Sequence, residues 1–168
     1  MGRPVGRVQD PAMLLVLCVV TLGVYGYVWC WRVSKEVDAY LQRRHAHPLT
    51  KIGILLVVCG VLLEGVGFVV LFGSAVARSG GGFASGVLLL LVSIGLAGAG
   101  AVCMYVAGWR VWSTIHDREA AAGAPRPLSP GWQLALVLVP YVNVVGVFVA
   151  VYRTQNHLNA IWQGRVLP

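Results

Sequence analysis

Four apolar runs dominate the chain, at about residues 12–31, 52–72, 84–109 and 132–152, with three polar breaks between them. The second run could extend to Ala77. Each run approaches or exceeds the ~20 residues that cross a bilayer core. Hydrocarbon offers the backbone no hydrogen-bond partner, so such a run must pair its own N–H and C=O groups as a helix. The pattern predicts an all-α fold: an integral membrane bundle of four transmembrane helices forming one domain over residues 1–168. The breaks are distinct in kind. Residues 32–51 are polar and include His45-Ala46-His47-Pro48. Residues 78–82 read Arg-Ser-Gly-Gly-Gly, a short turn, and residues 119–131 contain Pro125, Pro127 and Pro130, which marks a connector. After the first run, Val33, Val37, Tyr40 and Leu41 share one helical face, with Arg32 and Glu36 one turn apart. That predicts a short interfacial helical extension.

Inside the runs the faces differ. The third carries Ser93, Ala97 and Ala101 at four-residue steps, with Gly95, Gly98, Ala99 and Gly100 beside them. Small residues at this spacing let helix backbones approach closely, within one chain or between two copies. Glu64 is the one carboxylate in the middle of a span, with Gly60 four residues before it and Gly67 three after. An acid at a helix centre costs on the order of 3 kcal/mol, and each surrounding aliphatic residue returns about 0.3–0.6, so insertion survives it. The flanking glycines predict that Glu64 faces another helix, either as an ion or proton site or as a protonated structural hydrogen bonder. In the fourth run Gln133, Pro140, Asn143, Gly146, Ala150 and Arg153 recur at helical spacing as a polar-and-small stripe. Pro140 removes a backbone donor and predicts a kink, and Asn143 is a possible partner for Glu64.

Composition supports a lipid environment. The chain is 58% hydrophobic and 11% charged, against about 25% charged in a soluble domain. A net charge of +7 could suggest nucleic acid, but the basic residues flank apolar runs, as at helix ends near an anionic leaflet. The expected partners are therefore the lipid bilayer and other membrane proteins or a second copy, with no nucleic acid. Arg32, Lys35, Arg43, Arg44, Lys51, Arg110, Arg118 and Arg126 lie in the two longer loops, eight residues against the five at Arg3, Arg7, Arg78, Arg153 and Arg165. For four crossings, this places both termini outside the cytoplasm. The first run is too long for a signal-peptide core and ends in Trp-Cys-Trp-Arg, so it is expected to be retained. Cys18, Cys30, Cys59 and Cys103 lie in or beside apolar runs without a C-x-x-C pair, which predicts free thiols. His45 and His47 lack a third ligand, and His116 and His157 stand alone. No metal, cofactor or catalytic residue is expected, and no nucleophile-elbow, phosphate-loop, zincin or dinucleotide motif occurs.

The first run closes Gly23-Val-Tyr25-Gly26-Tyr27-Val-Trp29-Cys-Trp31-Arg32, placing Tyr and Trp where headgroups favour them. The G-x-Y-G-x-x-W core followed by W-R-V-x-K-E resembles the bacterial membrane family called domain of unknown function 4234. The segment Tyr152-Arg153-Thr-Gln155-Asn156-His-Leu158-Asn159-Ala-Ile161-Trp162 is similar to that family's terminal Q-x-x-L-N-x-x-W pattern. Val28 departs from the aromatic that usually precedes the tryptophan, while Tyr27 keeps aromatic character there. The resemblance implies a multi-pass bacterial membrane protein and no activity. It marks Gly23, Tyr25, Trp29, Arg32, Arg153, Gln155, Asn159 and Trp162 as an interfacial motif. Trp31-Arg32-Val33, Trp109-Arg110-Val111 and Tyr152-Arg153-Thr154 echo one another, either as one interfacial chemistry used three times or as a decayed repeat. The expected role is a non-enzymatic scaffold, adaptor or accessory subunit. The alternative is a small transporter, channel or proton-coupled element centred on Glu64 and Asn143.

Overall fold

The computed structural model describes residues 6–21, 23–41, 46–77, 80–138 and 143–164. Its elements are α1 (Pro11–Val20), α2 (Val24–Leu41), α3 (His47–Val76), α4 (Gly80–Ala121), α5 (Pro130–Leu138) and α6 (Asn143–Trp162). The all-α expectation holds, with no strand among the described residues. The chain divides into two compact units, one formed by residues 1–47 with 106–168 and the other by residues 48–105.

Among the described residues only α3 and α4, of 30 and 42 residues, are long and apolar enough to cross a membrane, not four helices as the hydropathy pattern predicts. The first run is broken at Thr21 and Gly23. The Thr21 hydroxyl donates to the Leu17 carbonyl at 2.7 Å and accepts from the Tyr25 N–H at 2.9 Å. Gly23 sits at φ +88°, a left-handed conformation nearly free only for glycine, and its N–H reaches back to the Cys18 carbonyl at 2.7 Å. The chain then reverses: a Cβ on Gly26 would lie 3.9 Å from the Cys18 sulfur. Gln9, before α1, accepts a hydrogen bond from Arg32 of α2. The fourth run behaves alike. α5 ends at Leu138 and α6 returns so close that a Cβ on Gly146 would stand 2.0 Å from the Leu136 carbonyl oxygen. The kink predicted at Pro140 lies outside the described residues. The 10 residues of α1 and 9 of α5 reach only about 15 and 14 Å at 1.5 Å per residue, half of a bilayer core of about 30 Å. α2 carries Arg32, Lys35, Glu36 and Asp38, and α6 carries Arg153 within a polar second half.

The unit of residues 48–105 is an antiparallel pair of helical segments held by backbone contact. Gly53, Gly60, Gly67 and Ser74 recur every seven residues on α3 and are buried. Gly86, Ser93 and Gly100 do the same on α4. A Cβ on Gly53 would stand 2.9 Å from the Gly100 carbonyl, and one on Gly60 2.9 Å from that of Ser93 and 3.0 Å from the Ala97 nitrogen. Intramolecular packing thus uses Ser93, Ala97 and Gly100, while Gly95 and Gly98 face open space. The rest of these helices looks outward: in each, 11% of the most apolar window is buried. The core helix of a soluble protein would be mostly covered, so these surfaces suit lipid.

The other unit has a side-chain core. Leu14 and Cys18 of α1, Trp29, Val33 and Val37 of α2, Val111, Trp112 and Ile115 of α4, Leu128, and Val151, Leu158 and Trp162 of α6 form one cluster. Tyr40 and Leu41 pack against it. The face predicted on residues 33–41 is therefore real, but it covers a protein core and continues α2 without a break. Four free cysteines agree with the sequence reading.

Candidate functional site

The polar half of α6 is the hub of the unit formed by residues 1–47 and 106–168. Residues at helical spacing point Thr154, Gln155, His157 and Asn159 in several inward directions, and each finds a partner far away in sequence. The Trp29 indole N–H donates to Gln155 Oε1 at 2.8 Å, with both groups buried. Gln155 Nε2 donates to Asn159 Oδ1 at 2.8 Å, one turn on. Asn159 Oδ1 also accepts from the Gln9 N–H at 3.1 Å, and Asn159 Nδ2 donates to the Gln9 carbonyl at 2.5 Å. Arg32, which donates to Gln9, lies 3.7 Å from Glu36. An unmade bond in this chain would strand a buried amide or indole at about 1–3 kcal/mol each.

Three further junctions complete the hub and its surroundings. The Trp112 indole donates to Thr154 Oγ1 at 3.0 Å, and that hydroxyl donates to the Ala150 carbonyl. Buried Glu119 accepts from the Leu128 N–H at 2.8 Å and meets His157 Nδ1 at 2.5 Å. His116 Nδ1 meets the Leu128 carbonyl at 3.0 Å, so the proline-rich connector is fastened on both sides. Asp38 of α2 accepts from the N–H groups of Ala46 at 3.0 Å and His47 at 2.9 Å. A carboxylate one helix away thus satisfies donors at the start of α3, where the helix dipole also favours negative charge.

Glu36 sits at the rim. Burial pushes its carboxyl above the usual range, opposed by Arg32 and by Arg7, whose backbone N–H also bonds it. An acid whose pKa is raised by folding stabilises the fold below its unfolded value and loses that contribution as pH rises through the folded value. Stability measured against pH from about 4 upward should therefore fall more for the wild type than for Glu36→Gln. Identical slopes in thermal melts would sink this expectation.

The structure brings together Trp29, Arg32, Gln155 and Asn159 from the interfacial motif in one network. Tyr25 packs on the core, Gly23 makes the turn, and Arg153 is half-buried. Trp162 is buried with its ring 5.2 Å from that of Tyr40, edge on. Glu64 is exposed, contrary to the helix-facing expectation. The backbones touch at Gly60, and at Gly67 the Leu89 and Leu90 side chains close in, so the seam has no room for a carboxylate and Glu64 lies exposed beside it. Gln133 is fully buried, with neither amide atom partnered. The expected stripe from Gln133 to Arg153 is divided, because Gln133 belongs to α5 and the later residues to α6. Asn143 opens α6, and its side chain lies outside the described residues. Asp38, Trp112, Glu119 and His157 were not legible as a set. The signal available was three acids, Glu36, Asp38 and Glu119, in a chain with six, set beside apolar positions of the same helices.

The arrangement supplies hydrogen-bonded junctions between helices. Its closest pair of titratable side chains among the described residues, Glu119 and His157, is covered, and Glu119 is bonded to the backbone of Leu128. No group of three metal-ligating side chains occurs among the described residues. Searches of curated proteins and of solved structures give no match. Residues 9–78, which contain the G-x-Y-G-x-x-W core and the whole of α3, match the family model described as Domain of unknown function (DUF4234), the family that the motif resembles.

Proposed function

We propose that this chain is a non-enzymatic membrane module, a scaffold, adaptor or accessory subunit, anchored by α3 and α4. The observation that carries this reading is the use of polar side chains. Asp38, Glu119, Thr154, Gln155 and Asn159 are each committed to fastening one helix or loop to another. A unit built this way holds a fixed surface for a partner, which is another membrane protein or a second copy.

A two-crossing topology also changes the orientation. With α3 and α4 as the crossings, Arg78 alone lies at the far turn, and the other 12 of the 13 basic residues lie on the near side. The positive-inside rule then places residues 1–51 and 106–168 in the cytoplasm, in place of termini outside. The setting is a bacterial inner membrane.

Purification in mild detergent tests the role: a stoichiometric membrane-protein partner or a defined self-assembly is expected. Glu64→Gln should change the amount inserted and the assembly state by less than about twofold, because Glu64 lies outside the α3–α4 contact and the aliphatic residues around it already carry insertion. A monomer that carries a proton flux abolished by Glu64→Gln would replace this reading with the transport alternative.

A further inference from the structure

We infer that the α1–α2 and α5–α6 hairpins are lipid-binding wedges that enter one leaflet of the bilayer and return to the same face, their occupant being the acyl chains of that leaflet. The inference rests on the membrane reading above and adds a surface and a partner to it.

Four observations converge. The first is depth. α1 and α5 reach about 15 and 14 Å, which is the thickness of one leaflet of a hydrocarbon core of about 30 Å. The second is closure at the turn. Gly23 at φ +88° and the Gly146–Leu136 approach fold each run back on itself, so neither can continue to the far face. The third is surface. Residues 11–31 and 130–152 contain no Asp, Glu, Lys, Arg or His. Val19 and Val20 at the end of α1 and Val24 at the start of α2 are 60, 74 and 64% exposed. Leu138, Val145 and Val147 around the second turn are exposed as well. Apolar patches of this continuity are not left to water.

The fourth observation is the girdle at the open ends. Trp31 of the first hairpin and Tyr152 of the second are 40 and 41% exposed, and Trp132 opens α5 at 55%. Arg32 and Arg153 follow the first two directly. The triplets Trp31-Arg32-Val33 and Tyr152-Arg153-Thr154 share one design: an exposed aromatic, an arginine, then a residue buried in the core. Tyr and Trp with Arg at one level is the chemistry of a headgroup zone. Backbone pairing inside each short helix removes most of the cost of placing it in hydrocarbon.

Single cysteines at exposed positions test this in sealed vesicles of both orientations, with a membrane-impermeant maleimide and the parent protein as the blank. Val8→Cys and Ala39→Cys flank the first hairpin, Ala121→Cys and Gln163→Cys the second. All four should react from one face. Val20→Cys and Leu138→Cys should react at least tenfold more slowly from either face until detergent is added. Opposite faces for Val8→Cys and Ala39→Cys, or for Ala121→Cys and Gln163→Cys, would show a crossing and overturn the wedge. So would Val20→Cys and Leu138→Cys reacting as fast as Val8→Cys in intact vesicles. Val76→Cys, at the far end of α3, should react from the opposite face. If it reacts with Val8→Cys instead, the two-crossing anchor falls, while the wedge is still decided by Val20→Cys and Leu138→Cys.

Discussion

Gly146→Ala is expected to cost about 3 kcal/mol, at the upper end of what an extra methyl inflicts in a packed interior. The new Cβ would stand 2.0 Å from the Leu136 carbonyl oxygen and 2.8 Å from its carbon. Those are backbone atoms of a helix, so no side-chain rotation relieves the overlap. α5 and α6 must separate, and α6 carries the residues that hold Trp29, Trp112 and Glu119. Thermal unfolding in mild detergent should show a fall in Tm of roughly 6–12 °C for a domain of this size. Gly65→Ala, where nothing lies within 4 Å, should leave Tm unchanged or slightly raised, since alanine is the better helix former. A Gly146→Ala melt matching the wild type would mean that the α5–α6 contact is wrong.

Asp38→Ala should be nearly as severe, about 2–4 kcal/mol, by a different route. The carboxylate is 7% exposed and holds the N–H groups of Ala46 and His47. Its loss takes the Asp38 acceptor away from both N–H groups and removes negative charge from the helix's positive end. Asp38→Asn keeps one acceptor oxygen and should recover about half of the loss. Hydrogen exchange at the first turn of α3 should rise in Asp38→Ala before any global change is seen. Unchanged protection there would refute the cap.

These two residues also show where sequence reasoning reached and where it stopped. Hydropathy found every apolar segment, because composition alone sets the preference for lipid. It could not tell a span from a hairpin. The difference in the first run lies in one threonine hydroxyl and one glycine conformation, at Thr21 and Gly23, within an otherwise unbroken apolar stretch. Gly60 and Gly67 form the contact face that their spacing predicts, but the same spacing includes Glu64, which the closeness of that contact expels. The motif patches around Trp29 and Gln155 lie near opposite ends of the sequence, and nothing in either announces that the two side chains meet across 126 residues. Asp38 looked like one more charge in a polar loop, because a cap supplied from another helix has no local spacing to betray it.

The bond between Gln9 and Asn159 joins residues 150 positions apart, and residues 48–105 sit between the two halves of that unit as a contiguous insert. On the ribosome, the N-terminal hairpin therefore emerges with its indole and amide partners still unmade. The α3–α4 pair, whose contacts are local in sequence, can form well before them. Until Gln155 and Asn159 are translated, the Trp29 indole and the Gln9 backbone lack the partners that they meet in the folded chain. Nascent chains stalled before Gln155 should thus present an exposed, aggregation-prone first hairpin, and their survival should depend on a membrane or a chaperone to cover it.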